Sequence, residues 1–152
     1  DHQPVVFGTR TNEGMMEPGA LGTGMWGKLR RWADIGEAEI IQGLFRSNRL
    51  TDVGCTYSLF RRDVVAALDG RWIKGGSHFV TETRLQVAAA KIPFVEIPVQ
   101  FKNRTIGSSY VVGTWWKLTK EGAKMLIFII TFWVRAKILF RKRYGRISLA
   151  QY

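Results

Sequence analysis

Residues 4–8 read Pro-Val-Val-Phe-Gly, a short apolar run that a glycine closes. A run of this length, bounded by a turn residue, is typical of a strand buried on both faces in an α/β sheet. We therefore expect the first element of the chain to be a buried strand. The remaining segments are interpreted outward from it.

The residues after this strand predict a loop and then a long helical region. Thr11–Gly24 is rich in glycine and predicts a flexible loop. Within Met25–Phe45 the apolar residues recur at helical intervals, with Gly36 as a weak point, so one long helix or two shorter ones are expected. Cys55–Phe60 alternates loosely and predicts a short strand.

The middle of the chain predicts two further helices and a strand. Asp63 is placed to cap a helix that runs through Leu68. Thr81–Ala90 predicts a helix that Pro93 ends, and Phe94–Phe101 predicts a strand near a sheet edge because it contains a proline. Strands alternating with helices indicate the α/β class. The number of strands is low for a complete sheet, which suggests a piece of a longer protein.

Composition and charge restrict the classes of protein that this chain can belong to. Of 152 residues, 46% are hydrophobic and 23% charged, which fits one globular domain and excludes a disordered or fibrous chain. The net charge is +11, so anionic partners are expected. Residues 97–152 hold 11 of the 23 basic side chains and only one acid, Glu121, so the excess charge belongs to the C-terminal third. A single cysteine excludes an internal disulfide and indicates a reducing compartment.

The basic third contains an uncharged run of ten residues, Met125–Val134. As a helix this run would be about 15 Å long, half of a bilayer's hydrocarbon core, so a membrane-spanning helix is not expected. Cations on both sides favour a helix that lies in the headgroup layer, and the alternative is a core helix covered by the rest of a larger protein. The residues assigned to membrane contact are Trp115, Trp116, Phe128, Phe132, Trp133, Arg135, Lys137, Arg141, Lys142 and Arg143.

A loop that could bind phosphate follows the Phe94–Phe101 strand. Arg104 supplies a planar fork for two phosphate oxygens, Gly107 allows close backbone approach, and Ser108 and Ser109 add short donors. Turns of this composition are common in solvated loops, so the pattern indicates a phosphate site only in combination with the other motifs of the sequence.

Three other residues carry side chains that could take part in chemistry: Glu82, His78 and Cys55. Glu82 opens the Thr81–Ala90 helix, where a carboxylate either interacts with the helix dipole or orients an acceptor and takes its proton. His78 has no second histidine or cysteine at ligand spacing, so a metal role is not expected. Cys55 has no obvious paired base and is not expected to act as a nucleophile.

Four blocks of the sequence resemble family-2 glycosyltransferases, most closely the dolichol-phosphate mannosyltransferase type. They are VVFGTR (5–10), LTDVGCTYSLFRR (50–62), GGSHFVTE (75–82) and VEIPVQFKNRTIGSS (95–109), in the family's order and at about its spacing. The likeness covers roughly the first three quarters of the chain.

The resemblance implies a partial GT-A fold, Rossmann-like in kind, and an inverting transfer of sugar from a nucleotide-sugar donor. The acceptor would be a polyprenyl phosphate such as dolichyl or undecaprenyl phosphate, or else a sugar, in cell-envelope glycan synthesis. In such enzymes the aspartate motif that holds a divalent metal, Mg²⁺ or Mn²⁺, lies upstream of the segment resembling VVFGTR. The metal is therefore expected in the full-length enzyme and none is expected on this chain alone, which should be inactive by itself.

The resemblance also assigns site residues by position. Arg104 matches the arginine that contacts the donor diphosphate, while Asp52 and Glu82 match acidic positions of the acceptor side. A lysine commonly follows the serine of the Arg-x-x-Gly-x-Ser pattern, and here that place holds Ser109, then Tyr110. Diphosphate binding would then rest on Arg104 together with Lys102, Arg10, Gly107 and Ser108, and a sugar hydroxyl acceptor would need Glu82 or Asp52 as base.

These expectations divide the chain into an acceptor-side part of a glycosyltransferase domain, residues 1–112, and a basic amphipathic membrane segment, residues 113–152. The favoured location is the cytoplasmic face of a membrane, with peripheral or monotopic attachment to anionic lipid and no nucleic-acid partner. The main alternative is a non-catalytic basic module that binds nucleic acid or anionic membrane. A third interpretation makes the C-terminal helix a self-association surface.

Overall fold

A computed structural model describes residues 3–11, 25–72, 75–100, 102, 115–139, 144 and 147. Over these residues the protein is a mixed α/β structure with a three-stranded sheet and four α-helices. The predicted α/β class is therefore confirmed. The loop predicted at Thr11–Gly24 lies almost entirely outside the described residues.

The N-terminal strand is the central strand of the sheet. Strand β1, Val5–Thr9, pairs antiparallel with β2, Ser58–Phe60, and parallel with β3, Phe94–Pro98, which gives the order β2-β1-β3. All residues of β1 except Val6 are buried, as its apolar composition predicts. The predicted edge position of the Phe94 strand is confirmed, although the strand ends at Pro98, earlier than expected.

Gly8 in the middle of β1 is required by close packing. A Cβ at this position would lie 3.0 Å from Cys55 Sγ, 3.0 Å from Tyr57 Cβ and 3.1 Å from Val99 Cγ1. Glycine therefore lets the segments around residues 55 and 99 approach the central strand closely.

Helix α1, Met25–Phe45, is continuous, so the single-helix alternative is correct. Ala38, Ile41 and Phe45 lie on one side of it and are fully buried. Gly36 does not interrupt the helix because tertiary packing of this apolar side outweighs the low helix propensity of one glycine.

Helix α2, Arg62–Leu68, corrects one detail of the sequence interpretation. Asp63 does not cap it; Arg61 occupies the N-cap position. Asp63 lies in the first turn instead, where its carboxylate accepts hydrogen bonds from Arg61 Nε and Nη2 at 2.7 and 2.6 Å. The ion pair and the helix dipole both favour a carboxylate in that turn.

Helix α3, Phe79–Ala89, is the most deeply embedded helix in the described part of the chain. It begins two residues before the predicted start and follows a 3₁₀ turn, Gly76–His78. Every residue from 81 to 88 is buried, including four polar or charged side chains besides Thr81. Lys91, with φ 58°, terminates the helix region in the left-handed conformation, two residues before Pro93.

Helix α4, Trp115–Val134, continues into a π-helical turn, Arg135–Leu139. Ile129, Phe132 and Ala136 face the core of the protein and are nearly inaccessible. The Trp133 indole Nε1 donates to the Leu44 carbonyl at 3.1 Å, which ties α4 to α1. The predicted helix is confirmed, and one side of it packs against the core of this chain; cover of its other side by a larger protein stays a prediction.

The packing of α4 corrects the assignment of membrane residues. Phe132 is 1% exposed and packs against Phe45, Phe128 and Tyr144, so it cannot enter a lipid interface in this fold. Phe128 and Trp133 are half-buried against the same core. No helix among the described residues is both long and apolar enough to cross a bilayer.

The hydrophobic core joins the sheet to all four described helices, with Val64 and Leu68 contributed by α2. Val5 and Phe7 of β1, Ile41 of α1, Leu85 of α3 and Ile129 of α4 belong to one buried cluster. The predicted division at 112/113 falls on residues that are not described, and the helix on its C-terminal side shares this core. Because β1 and β3 are parallel, their carboxyl ends lie at the same edge of the sheet, and the sheet packs against this core.

Candidate functional site

The first polar side chain after β1 is anchored at this edge of the sheet. Arg10 directly follows β1, and its guanidinium Nε and Nη2 donate to the Asp52 carboxylate at 2.7 and 2.8 Å. The Arg10 backbone N–H donates to the same carboxylate at 2.9 Å. Asp52 is 1% exposed and Arg10 is 9% exposed, so this is a buried, two-pronged ion pair.

A second carboxylate approaches Arg10 from α1. Arg10 Nη2 lies 3.6 Å from Asp34 Oδ2. Gly54 makes room for this contact, because a Cβ there would lie 2.9 Å from Arg10 Nη2 and 3.3 Å from Asp34 Oδ1. Burial by itself would lower the pKa of Arg10, but the hydrogen bond and charge of Asp52, with the charge of Asp34, raise it above its ordinary value.

The segment that carries Asp52 is also fixed from the β3 side. Glu96 accepts hydrogen bonds from the Thr51 N–H at 2.9 Å, from Thr51 Oγ1 at 2.8 Å and from the Asp52 N–H at 3.3 Å. Thr51 Oγ1 also lies 2.8 Å from Thr9 Oγ1. This network joins the end of β1 and the middle of β3 to residues 51 and 52.

Arg84 supports the same segment from below, and the sequence interpretation had given it no role. Its guanidinium donates hydrogen bonds to three carbonyl oxygens: that of Cys55, that of Asp52 at 3.4 Å and that of Val80 at 3.1 Å. The guanidinium carbon also lies 4.5 Å from the centroid of the Phe7 ring. Burial lowers the pKa of Arg84 to about 10. The sequence offered no clear signal for this role, because Arg84 stands between Thr83 and Leu85 in a helix whose burial depends on distant elements.

We call Arg10, Asp34, Thr51, Asp52, Arg84 and Glu96 the Arg10 cluster. It lies at the carboxyl ends of the parallel strands, which is where open α/β sheets bind ligands. Its carboxylates are paired with guanidinium groups or backbone N–H groups, so the cluster is rigid and its geometry is set before a ligand arrives.

Glu37 is a titratable group beside this cluster that the sequence did not reveal. It lies one turn after Asp34 on α1 and is half-buried. Burial, together with the charge of Asp34, raises the pKa of Glu37 to about 7. Glu37 therefore exchanges a proton near neutral pH, which is the range useful for acid or base chemistry.

The structure places the predicted site residues in different positions. Arg10 and Asp52 are brought into direct contact. Glu82 is fully buried in the first turn of α3, where its Oε1 accepts from Gln86 Nε2 at 3.3 Å. Lys102 is exposed. Arg104, Gly107 and Ser108 lie outside the described residues, so the expected meeting of Arg104 with Asp52 and Glu82 stays a prediction.

The described residues do not fit a resident metal. Among them no group of three or more His, Cys, Asp or Glu side chains could hold a metal ion. Both oxygens of Asp52 accept hydrogen bonds from Arg10, which removes it as a ligand in this geometry. A divalent metal in the full-length enzyme stays an expectation from the resemblance.

The outward side of α4 is apolar and basic at once. Trp116, Ile127, Ile130 and Ile138 are 72%, 65%, 54% and 65% exposed, and we call them the α4 apolar stripe. Exposed cations flank the stripe: Lys120, Lys124, Arg135 and Lys137. Of the residues assigned to membrane contact, Trp116, Arg135 and Lys137 are exposed, Arg141–Arg143 lie outside the described residues, and the side chain of Trp115 is not described.

Comparisons with known proteins give no relative for this chain. No family model matches it, and neither a curated protein nor a solved structure does.

Proposed function

We propose that this chain is part of a membrane-associated inverting glycosyltransferase that transfers a sugar from a nucleotide-sugar donor to a polyprenyl phosphate. The observation that carries the proposal is the meeting of separate sequence blocks in the Arg10 cluster. Arg10 comes from the first block, Asp52 from the second and Glu96 from the fourth. These residues are 42 to 86 positions apart in the chain and join in one hydrogen-bonded network.

The third block reaches the same place through the helix that it opens. Glu82 is its last residue, and Arg84, two positions later, donates to the backbone of Asp52. Blocks that resemble one enzyme family are expected to converge if they build one site. Their convergence at the ligand-binding edge of the sheet supports the resemblance.

The burial of Asp52 and Glu82 favours a phosphate over a hydroxyl group as the acceptor. A phosphate monoester is already anionic at pH 7 and needs no base, whereas a sugar hydroxyl does. Asp52 is paired with Arg10 and Glu82 is buried beneath the site, so neither carboxylate is exposed. We therefore assign Asp52 and Arg10 a positioning role, in which their buried ion pair holds the edge of the sheet where the phosphate acceptor would bind.

The surface of α4 supports attachment to the membrane in which such an acceptor lies. The α4 apolar stripe can enter the headgroup layer while the neighbouring cations meet lipid phosphates. Of the four residues of the stripe, only Trp116 was assigned to membrane contact from the sequence, because the period of the helix alone does not show which side faces outward.

The test is transfer of radiolabelled sugar to undecaprenyl or dolichyl phosphate by the protein as its natural gene encodes it, reconstituted in anionic vesicles. Each common nucleotide sugar is supplied in turn with Mg²⁺ or Mn²⁺. We expect label in the lipid extract, reduced by about a hundredfold in Arg10→Gln, because loss of the ion pair displaces the segment around Asp52 and a misplacement of about 1 Å in a site can cost that much.

Asp63→Asn is the matched control because it removes a carboxylate from an ion pair with Arg61 at the protein surface. It should transfer sugar at the wild-type rate. Absence of lipid-linked label with every donor would refute the proposal, as would full activity of Arg10→Gln with its folding confirmed by circular dichroism.

A further inference from the structure

One face of the sheet is apolar and is only partly covered within the described part of the chain. Neighbouring strands place Val6 beside Leu59 of β2 and Val95 of β3, and place Gly8 beside Ile97. These positions share one face because alternate residues of a strand point to the same side. Leu59 is 53% exposed, Ile97 is 37% exposed, and Val6 and Val95 are half-buried. We call Val6, Leu59, Val95 and Ile97 the open sheet face.

The opposite face of the sheet is packed by the helices. Val5 and Phe7 alternate with Val6 along β1, and both are fully buried in the hydrophobic core. Phe94, beside Val5 on β3, belongs to the same cluster. No residue of the open sheet face belongs to this cluster or to the partly buried side chains that the structure describes against it. The described helices therefore bury one face of the sheet and not the other.

The composition of the open sheet face is that of a buried surface. Its four side chains are all aliphatic, whereas the solvated face of a sheet normally carries polar residues. Strands β1 and β3 are parallel, and parallel strands occur almost only where both faces of the sheet are covered. Helices provide this cover in α/β proteins. We therefore expect a helix on this face.

The size of the face indicates where that helix comes from. Three strands at about 4.8 Å spacing, with up to five residues at about 3.3 Å each, give a surface of at most about 240 Å². A stable complex of separate molecules buries about 800 Å² on each partner. A second copy would also bring a net charge of +11 against a chain of the same charge. A segment of the same polypeptide needs less area, because it is already held at high effective concentration.

We propose that an amphipathic α-helix from the part of the protein that precedes residue 1 covers the open sheet face. That part joins the sheet directly at β1, whereas the chain at Ile147 packs against the core on the opposite face. A helix of about 11 residues spans about 17 Å, the length of five strand residues. Its apolar side would contact Leu59 and Ile97, with its polar side toward water. This contact depends on the proposed function only in that both make the chain part of a longer protein.

The test is maleimide labelling of single introduced cysteines in the protein as its natural gene encodes it, read by mass spectrometry of each labelled peptide. Leu59→Cys probes the open sheet face. Val65→Cys on α2 is the matched control, because the two native side chains are 53% and 50% exposed here. Cys55 is buried and serves as an internal reference. We expect Leu59→Cys to react at least about tenfold more slowly than Val65→Cys, and equal rates would overturn the proposal.

Dilution identifies the source of the protection. A helix of the same polypeptide protects Leu59→Cys equally at every protein concentration, whereas cover by a second copy or by another protein is lost on dilution. Protection that disappears on dilution of the purified protein would therefore also overturn the proposal.

A second pair of variants tests the same face through stability. Leu59→Asp should lower the melting temperature of the same protein by at least about 4 °C more than Val65→Asp, because only the first would place a charge beneath a helix. Equal melting temperatures for the two variants would contradict cover of this face.

The outcomes for the sheet face and for the proposed function are distinguishable. If sugar is transferred to lipid phosphate but Leu59→Cys reacts as fast as Val65→Cys, the covering helix is wrong and the transferase proposal stands. If Leu59→Cys is protected at every concentration but no donor gives lipid-linked sugar, the covering helix stands and the transferase proposal fails.

Discussion

At the scale of single residues, the carboxylates of Asp52 and Glu37 differ in their surroundings. The carboxylate of Asp52 accepts two hydrogen bonds from the guanidinium of Arg10, so this buried ion pair is held in one geometry. Glu37 is half-buried beside another carboxylate and titrates near neutral pH. The sequence identified Arg10 and Asp52 as site residues, but not their pairing, because nothing local links residues 42 positions apart.

Asp52→Asn should unfold the protein more easily, because it leaves the guanidinium of Arg10 buried without its main counter-charge. Removal of one partner from a buried ion pair costs about 3 to 5 kcal/mol. Urea denaturation followed by circular dichroism measures the loss. Asp63→Asn, which breaks the surface pair with Arg61, should change stability little. Equal midpoints for the two variants would contradict the buried pairing.

Glu37→Gln should stabilise the protein at alkaline pH and have little effect at acid pH. The pKa of Glu37 is raised from about 4.5 to about 7, so the folded state holds a proton there that the unfolded state has lost. Wild-type stability should therefore fall as pH rises from 4.5 through 7. We expect the variant to gain on the order of 1 kcal/mol at pH 8 and almost nothing below pH 4.5. Glu39→Gln on the exposed side of α1 is the control, and equal gains in both variants would contradict the role of burial.

At the scale of elements, periodicity predicted the helices better than their orientation. The apolar spacing within Met25–Phe45 and the run Met125–Val134 identified α1 and α4 correctly. The same patterns could not show that Phe132 faces inward, because α4 is apolar around most of its circumference and packs against elements distant in sequence. The missed cap at Asp63 has a different cause, since its arginine neighbour provides a competing partner.

Two adjacent isoleucines on α4 allow the stability contributed by its buried side and by its exposed side to be compared. Ile129 is fully buried and Ile130 is 54% exposed. Ile129→Ala should lower the free energy of unfolding by about 2 to 5 kcal/mol, because it removes methylene groups and leaves a cavity. Ile130→Ala should change it by less than about 0.5 kcal/mol. Thermal denaturation of the two variants gives the comparison, and a reversed order would mean that α4 is rotated about its axis.

At the scale of the whole molecule, the sequence predicted the α/β class and two of the residues that meet at the sheet edge. It could not predict the Arg10 cluster as a whole. Arg84 and Glu96 reach the cluster from α3 and β3, and only the packing of those elements brings them near residue 52. The concentration of positive charge in residues 97–152 could be predicted from the sequence, because it requires only a count of basic and acidic side chains.

Binding to vesicles tests whether the basic, apolar side of α4 faces a membrane. We expect co-sedimentation with vesicles containing phosphatidylserine, weak binding to neutral phosphatidylcholine vesicles, and a decline as salt is raised, because each cation near the surface contributes about 1 kcal/mol. Ile130→Asp should reduce binding strongly. Val65→Asp, which places the same charge at an exposed valine of α2, should reduce it much less.

Equal binding to neutral and anionic vesicles, or equal effects of the two aspartate variants, would contradict attachment through α4. A truncation that removes residues 125–152 is unsuitable for this purpose. It would delete Ile129 and Phe132 from the core and unfold the protein.

The strand order has a consequence for synthesis of the protein. The central strand β1 is synthesised before its parallel partner β3, which follows about 90 residues later, and the core is closed only when Ile129 and Phe132 arrive. Until then Val5 and Phe7 are exposed on a nascent chain. We expect stalled chains that end before residue 125 to bind chaperones and be digested by protease, and chains that extend past α4 to resist digestion abruptly.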